Sequence, residues 1–138
     1  MTTFRLQPSR TLVEQELGRP RTIIKPIATV RVQATATTIY TATPSFDFLI
    51  RHLWAANITG SAVALTVHMV PASGSPSDAN ACMKGVSIAA NTTVLLDCLT
   101  GSGMGSLLQP GMSLVALAAT ADAINLGGWG NDIIGSDQ

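Results

Sequence analysis

From Ile27 to Trp129 apolar and polar positions alternate with a period of two, the signature of β-strands that bury one face. Val30, Val32 and Ala34 alternate with Arg31, Gln33 and Thr35, and Thr37–Ala42 continues with Ile39 and Tyr40. In the next segment Phe46, Phe48, Ile50, His52 and Trp54 share one face, opposite Asp47, Leu49, Arg51 and Leu53. Val63, Leu65, Val67 and Met69 then alternate with Ala64, Thr66, His68 and Val70. Ala81–Ile88 and Thr92–Leu99 read as two short strands around Ala89-Ala90-Asn91, and Met112–Thr120 and Ala123–Trp129 as a closing hairpin about Ala121-Asp122. Asn57-Ile58-Thr59-Gly60 reads as a hairpin-type turn, and Pro71–Asn80 and Thr100–Ser106 as loops. Strands of this length with turn signals every 8–12 residues predict an all-β fold, an antiparallel β-sandwich or barrel of jelly-roll-like form. The predicted core is Phe46, Phe48, Ile50, Trp54, Val63, Leu65, Val67 and Met69.

Residues 1–26 differ. Thr11 with Glu14 three positions on fits a capping box, Leu12–Leu17 form a short helix, and Gly18 and Pro20 end it. So short a helix needs a neighbouring apolar groove for Leu12, Val13 and Leu17. The chain therefore divides into an extended arm over 1–26, carrying one short helix, and a sandwich body over 27–138.

Charge sharpens that division. Six of the eight basic residues (Arg5, Arg10, Arg19, Arg21, Lys25 and Arg31) lie in the first 31 positions with Glu14 and Glu16, while six Asp face only Arg51 and Lys84 in the remainder. A net charge of zero thus hides a basic arm on a mildly acidic body. Docking on a protein surface fits the arm's charges around a Leu/Val helix; nucleic acid fits less well, because Phe4 is its one aromatic and base stacking has no platform. Charged residues make up only 12% of the chain, and no Glu follows Glu16. A surface so poor in charge favours burial in an assembly, by trimers or other cyclic rings of the chain itself.

The order Ile39-Tyr40-Thr41, Asn57-x-x-Gly60-Ser61-Ala62-Val63, Thr66-x-His68-x-Val70-Pro71, Gly74-Ser75, Asp78-Ala79-Asn80, Ser87–Asn91, Leu96-Asp97-x-Leu99, Leu108-x-Pro110-Gly111 and Ala121-Asp122-Ala123-x-Asn125 resembles small β-sandwich virion proteins of tailed bacteriophages. That family includes head decoration, neck or collar, and tail-associated modules. The resemblance spans roughly residues 37–130 and leaves the arm without a counterpart. It implies a non-enzymatic structural component of a phage particle, attached to head or neck through the arm (Arg5, Arg10, Leu12, Val13, Leu17, Arg19, Arg21, Lys25). Its partners would be copies of itself and other virion proteins, and its location the virion, assembled in the host cytoplasm. The rival class is a carbohydrate-binding adhesin module of a tail or fibre, with Trp129 between glycines as the candidate sugar platform.

Catalytic and cofactor chemistry finds little to stand on. Gly101-Ser102-Gly103-Met104-Gly105 lacks the following Lys and the strand–helix context of a phosphate loop. His52 and His68 have no acid or thiol near them in sequence, too few ligands for zinc, and His68 falls on a face expected to meet solvent or a subunit. The body's Asp residues are scattered, mostly at turns. Cys82 and Cys98 read as small buried hydrophobes, with a bond between them, or between subunits, under oxidising conditions as the alternative. No cofactor and no metal is expected. The N-terminus has no signal-peptide core and the longest apolar run, Leu114–Ala119, is too short to cross a bilayer, so a cytosolic protein or a particle assembled there is expected.

Overall fold

The computed structural model describes residues 21–96 and 106–134. Nine strands follow in chain order: β1 (Arg21–Val32), β2 (Thr37–Thr41), β3 (Asp47–Asn57), β4 (Val63–Val70), β5 (Ala81–Ile88), β6 (Thr93–Leu95), β7 (Ser106–Leu108), β8 (Ser113–Ala118) and β9 (Ile124–Ile134), with one 3-10 turn at Asp78–Asn80. They form two antiparallel sheets: β1-β9-β3-β6 with β7 also on β3, and β2-β8-β4-β5. First pairs with last (β1 with β9), β2 with β8, β3 with β6 and β7, and β4 with β5. That nested pairing, wrapped over two sheets, is a jelly roll.

Three predicted connections are corrected. Asn57–Gly60, Ala89–Asn91 and Ala121-Asp122 were expected to close hairpins, yet each carries the chain from one sheet to the other. Hairpins and arches use the same turn residues; what differs is the plane in which the next strand finds its partner. Asn91 and Asp122 sit at φ 55° and 62°, in the left-handed region that their residue types tolerate.

The arm boundary also moves. Residues 21–26 are the first half of β1, paired to β9 from Arg21↔Ile134 to Pro26↔Trp129. Pro26, the last residue of the expected arm, is accommodated because β1 is an edge strand and needs no outward N–H there. Arg5, Arg10, Leu12, Val13, Leu17 and Arg19, with the expected helix, lie outside the described residues.

The core fills the space between the sheets with Ile27, Val32, Phe48, Ile50, Leu53, Ala55, Val63, Leu65, Val67, Leu108, Leu114, Ala116, Ile124 and Leu126, among others. Phe48, Ile50, Val63, Leu65 and Val67 are thus inward, and Met69 packs partly buried against the cluster. Phe46 and Trp54 do not join it. In β3 the register against β9 skips from Ile50↔Gly130 to His52↔Trp129, so Arg51 is the extra residue of a β-bulge. Alternation restarts one position out of phase: Phe48 and Ile50 point inward, then Leu53 and Ala55. Trp54 is left on the outer face, its ring across Gly127, where an added Cβ would lie 2.9 Å from Trp54 Cζ2 and 3.0 Å from Thr29 Oγ1.

One end of the sandwich is organised by the buried Asn57. Its Nδ2 donates to the carbonyls of Ser61 (2.8 Å) and Ile88 (2.9 Å), and its Oδ1 accepts from the Thr59 N–H (2.9 Å) and hydroxyl (2.8 Å). Both amide hydrogens and both oxygen lone pairs are used. Asn57 N–H donates to Thr92 O and Ile58 N–H to Ala123 O, so three arches meet here.

Asn57→Ala is expected to cost about 2–4 kcal/mol, because the buried groups left behind lose their partners; urea unfolding measures it. Phe48→Ala should cost about 3–5 kcal/mol as a core truncation, and Trp54→Ala clearly less. Equal losses in the same assay would put Trp54 back in the core.

Candidate assembly face

Among the described residues, the outer face of the β1-β9-β3-β6 sheet carries the main exposed apolar surface. The register builds it in cross-strand rows. Thr22, Ile133 and Asp47 lie at one end, followed by Ile24, Asn131, Leu49 and Leu107. Pro26, Trp129 and His52 form the middle row, then Gly127, Trp54 and Leu95, and finally Arg31, Asn125, Ala56 and Thr93. Ile24 is 69% exposed, Leu95 56%, Leu107 43% and Trp129 40%. The three inner rows are mainly apolar, broken by Asn131, by His52 and by the exposed Arg51 that the bulge sets beside His52; a scattering of single surface hydrophobes does not produce such a cluster. Arg31 at one corner is held by Asn125 Oδ1, 3.4 Å from its Nε.

Sequence reasoning found Trp129 as an exposed aromatic but placed it at a strand end; it stands at the middle of β9, in the centre of the sheet. The rest of the face was missed. Its residues come from five segments, and half of β3 was read in the opposite phase. An available signal was that Leu49 and Leu53 make the supposed outer side of β3 as apolar as the inner.

The free edges, by contrast, are blunted. β2, β6 and β7 are short, and β1 has Pro26 followed by a register break between Ile27 and Val30. β5 pairs irregularly with β4 and carries Lys84 and Gly85, the latter at φ 62°. Short strands, Pro, Lys and bulges are the usual protections of a sheet edge. Between the β5 and β6 edges an open groove of about 260 Å³ is lined by Met83, Val86, Ile88, Val94, Leu95 and Leu96.

Besides Asn57, two more polar sites lie inside among the described residues. Asp132, read from sequence as one of the scattered acids, is 1% exposed and points between the sheets beside Lys25, Nζ 2.6 Å from Oδ2. The ammonium is close yet off the direction of a well-aligned hydrogen bond, and Oδ1 accepts none. Lys25, expected to dock the arm, thus neutralises a buried carboxylate joining first strand to last. Its pairing with Asp132 raises the Lys25 pKa above the ordinary value, although desolvation opposes this. Tyr40, stacked at 4.2 Å on Phe48, is raised mainly by burial and further by Asp132. His68, expected on the polar face, is buried instead. Its Nδ1 lies 3.0 Å from both Ser77 O and Asn80 Oδ1, so it donates there as the Nδ1–H tautomer and ties down the loop 71–80. Asn80 Nδ2 in turn donates to Ser75 O.

His52 is on the outer face of one sheet and His68 belongs to the other. Among the described residues no three His, Cys, Asp or Glu side chains group as metal ligands. Cys82 Sγ donates to Val67 O at 3.2 Å; Cys98 and the Gly101–Gly105 run lie outside the described residues. No helix among them is long and apolar enough to cross a membrane.

Lys25 and Tyr40 set the alkaline limit. Both pKa values are raised by folding, so their contribution is complete below the unfolded values, about 10 for Tyr and 10.4 for Lys, and is lost as pH climbs through the folded ones. The melting temperature should fall above about pH 10, less steeply in Lys25→Met/Asp132→Leu/Tyr40→Phe. At neutral pH, Lys25→Met alone should be less stable than Lys25→Met/Asp132→Leu, because the single change strands a buried charge. Scanning calorimetry across pH checks both.

The chain has structural likenesses among solved proteins. Over 84% of its length it is similar, at 12% identity and TM-score 0.47, to 88% of a chain from Bacillus endospore appendages, described as a novel family of disulfide-linked pili. Over 85% of its length it is similar to chains of infectious bursal disease virus, in the Gx strain (11% identity, TM-score 0.48) and in the T13 particle (11%, 0.45), spanning 33% and 31% of those chains. No protein-family model and no curated protein matches it.

Proposed function

We propose that this chain is a non-enzymatic structural subunit of a tailed-phage particle, an oligomeric jelly roll held on the head or neck by its basic N-terminal arm. The observation that carries the reading is the apolar outer face of the five-stranded sheet. A freely diffusing module gains nothing from a surface that water solvates poorly, whereas a subunit covers it in the assembled state. The low charge of the chain supports the same reading. So does the place of β1, the strand that follows residues 1–20 in the chain, at one margin of that face.

Trp129 also keeps a second reading in play. An exposed indole flanked by His52 in the same row is the kind of platform a sugar ring stacks on, as in an adhesin.

Mass spectrometry of purified particles should find the chain at a fixed ratio to the major shell protein. Removal of residues 1–20, which spares β1, should abolish incorporation while leaving a β-type circular dichroism spectrum and a cooperative melt. Attachment should weaken with salt as arm charges are screened. Absence from particles together with competable binding on a glycan array, lost in Trp129→Ala, would replace this reading with the adhesin.

A further inference from the structure

We infer that the outer face of the β1-β9-β3-β6 sheet is an isologous interface, covered by the same face of a second copy of this chain. The inference rests on the structural-subunit reading and narrows its symmetry from a ring of any order to a two-fold pair.

Its first support is area. The face is about 30–35 Å long, from the eleven residues of β3 at roughly 3.3 Å each, and four strand positions of about 4.8 Å wide. That gives about 600–700 Å² per copy, close to the roughly 800 Å² per partner of a standard stable interface. The large apolar side chains lie towards its middle, where Arg51 and His52 are the polar exceptions, and Asp47 and Arg31 lie at its two ends.

The second support is charge. Asp47 stands at one end of the face on β3, and Arg31 at the other end on β1, two strands away. The midpoint of that diagonal is the middle row on β9, which is Trp129. A two-fold axis lying in the face, through Trp129 and across the diagonal, places Arg31 of each copy opposite Asp47 of the other. It also stacks the two Trp129 side chains at the centre. The same operation sets the crossing angle. The diagonal is offset by two strand spacings over about 30 Å, or about 18° from the strands, so strands of the two copies would cross at about 35°. Sheets packed face to face in aligned sandwiches cross at about 30°. One symmetry operation therefore pairs Arg31 with Asp47, stacks the central aromatic and gives the packing angle of twisted sheets, with Arg51 of each copy one strand away from the axis.

Third, the alternatives within the fold are weak. The edges are blunted, so pairing by strand addition has no long, regular template. A two-fold contact uses the face completely and closes without leaving an apolar remainder.

The test is sedimentation of the full-length chain at tens of micromolar. The wild type is expected to be dimeric. Ile24→Glu/Leu95→Glu changes the two most exposed apolar side chains of the face, so it should preserve the melt and weaken association at least tenfold. Arg31→Asp and Asp47→Arg should each weaken it, and the two together should restore it, which a generally sticky surface would not do. Leu12→Glu/Leu17→Glu in the arm should leave the dimer intact. A monomeric wild type, unimpaired association of Ile24→Glu/Leu95→Glu, or no rescue by the charge swap would overturn the interface. Loss of association in the arm variant would assign the face to the arm and also overturn it. Incorporation into particles is scored separately: an Ile24→Glu/Leu95→Glu protein that still enters particles and still dimerises removes this interface and leaves the structural role standing.

Discussion

Strand β3 has two faces that are nearly equally apolar, and only one can be buried between the sheets. Its pairing with β9 settles the choice, and much of the molecule follows from it. Phe48 and Ile50 enter the core, the bulge at Arg51 shifts the phase, and Leu53 and Ala55 enter after it. Gly127 and Gly130 clear the paths of the Trp54 and Phe48 rings on opposite sides of the sheet. Without the bulge, Trp54 would have to fit into a core cluster that already holds Leu65, Leu114 and Leu126. With it, the tryptophan becomes part of the outer surface.

The same strand links stability to assembly. Its inward half closes the core, its outward half contributes Leu49, His52 and Trp54 to the apolar face, and its last residue, Asn57, joins three arches. The buried amide and the buried Asp132–Lys25 pair differ in kind. Asn57 has every hydrogen-bonding position filled, so it specifies its arches at little cost. Asp132 has one cation and an oxygen with no partner, an arrangement whose net contribution to stability is small even though breaking it is damaging. Its effect is to hold β1, the strand that continues the arm, against β9.

A jelly roll with blunted edges and a hydrophobic flat face is suited to packing by faces. Edge pairing between copies extends a sheet without limit unless geometry stops it, whereas face packing saturates once both faces are covered. In this chain the protective devices sit on the edges, and most of the large exposed apolar side chains sit on the face. That distribution is what the proposed assembly rests on, independently of where it would be located.

The all-β class, most strand positions and an inward Phe48, Ile50, Val63, Leu65 and Val67 were legible from the sequence, because alternation with period two is a local property of an extended chain half in contact with water. Charge asymmetry and the shortage of Lys and Glu were equally plain, being sums over residues. Three things were decided only by tertiary structure. Whether a turn closes a hairpin or crosses between sheets depends on which distant strand pairs next, as at Asn57, Asn91 and Asp122. The phase of β3 after Ile50 depends on a bulge that pairing with β9 imposes, since both faces of that segment read as hydrophobic. The burial of His68 and Asp132 depends on partners 9 to 107 positions away, Ser77 and Lys25 among them. Local pattern determines how a segment prefers to extend and what it must hide; only long-range pairing determines which neighbour hides it, and hence which surface remains.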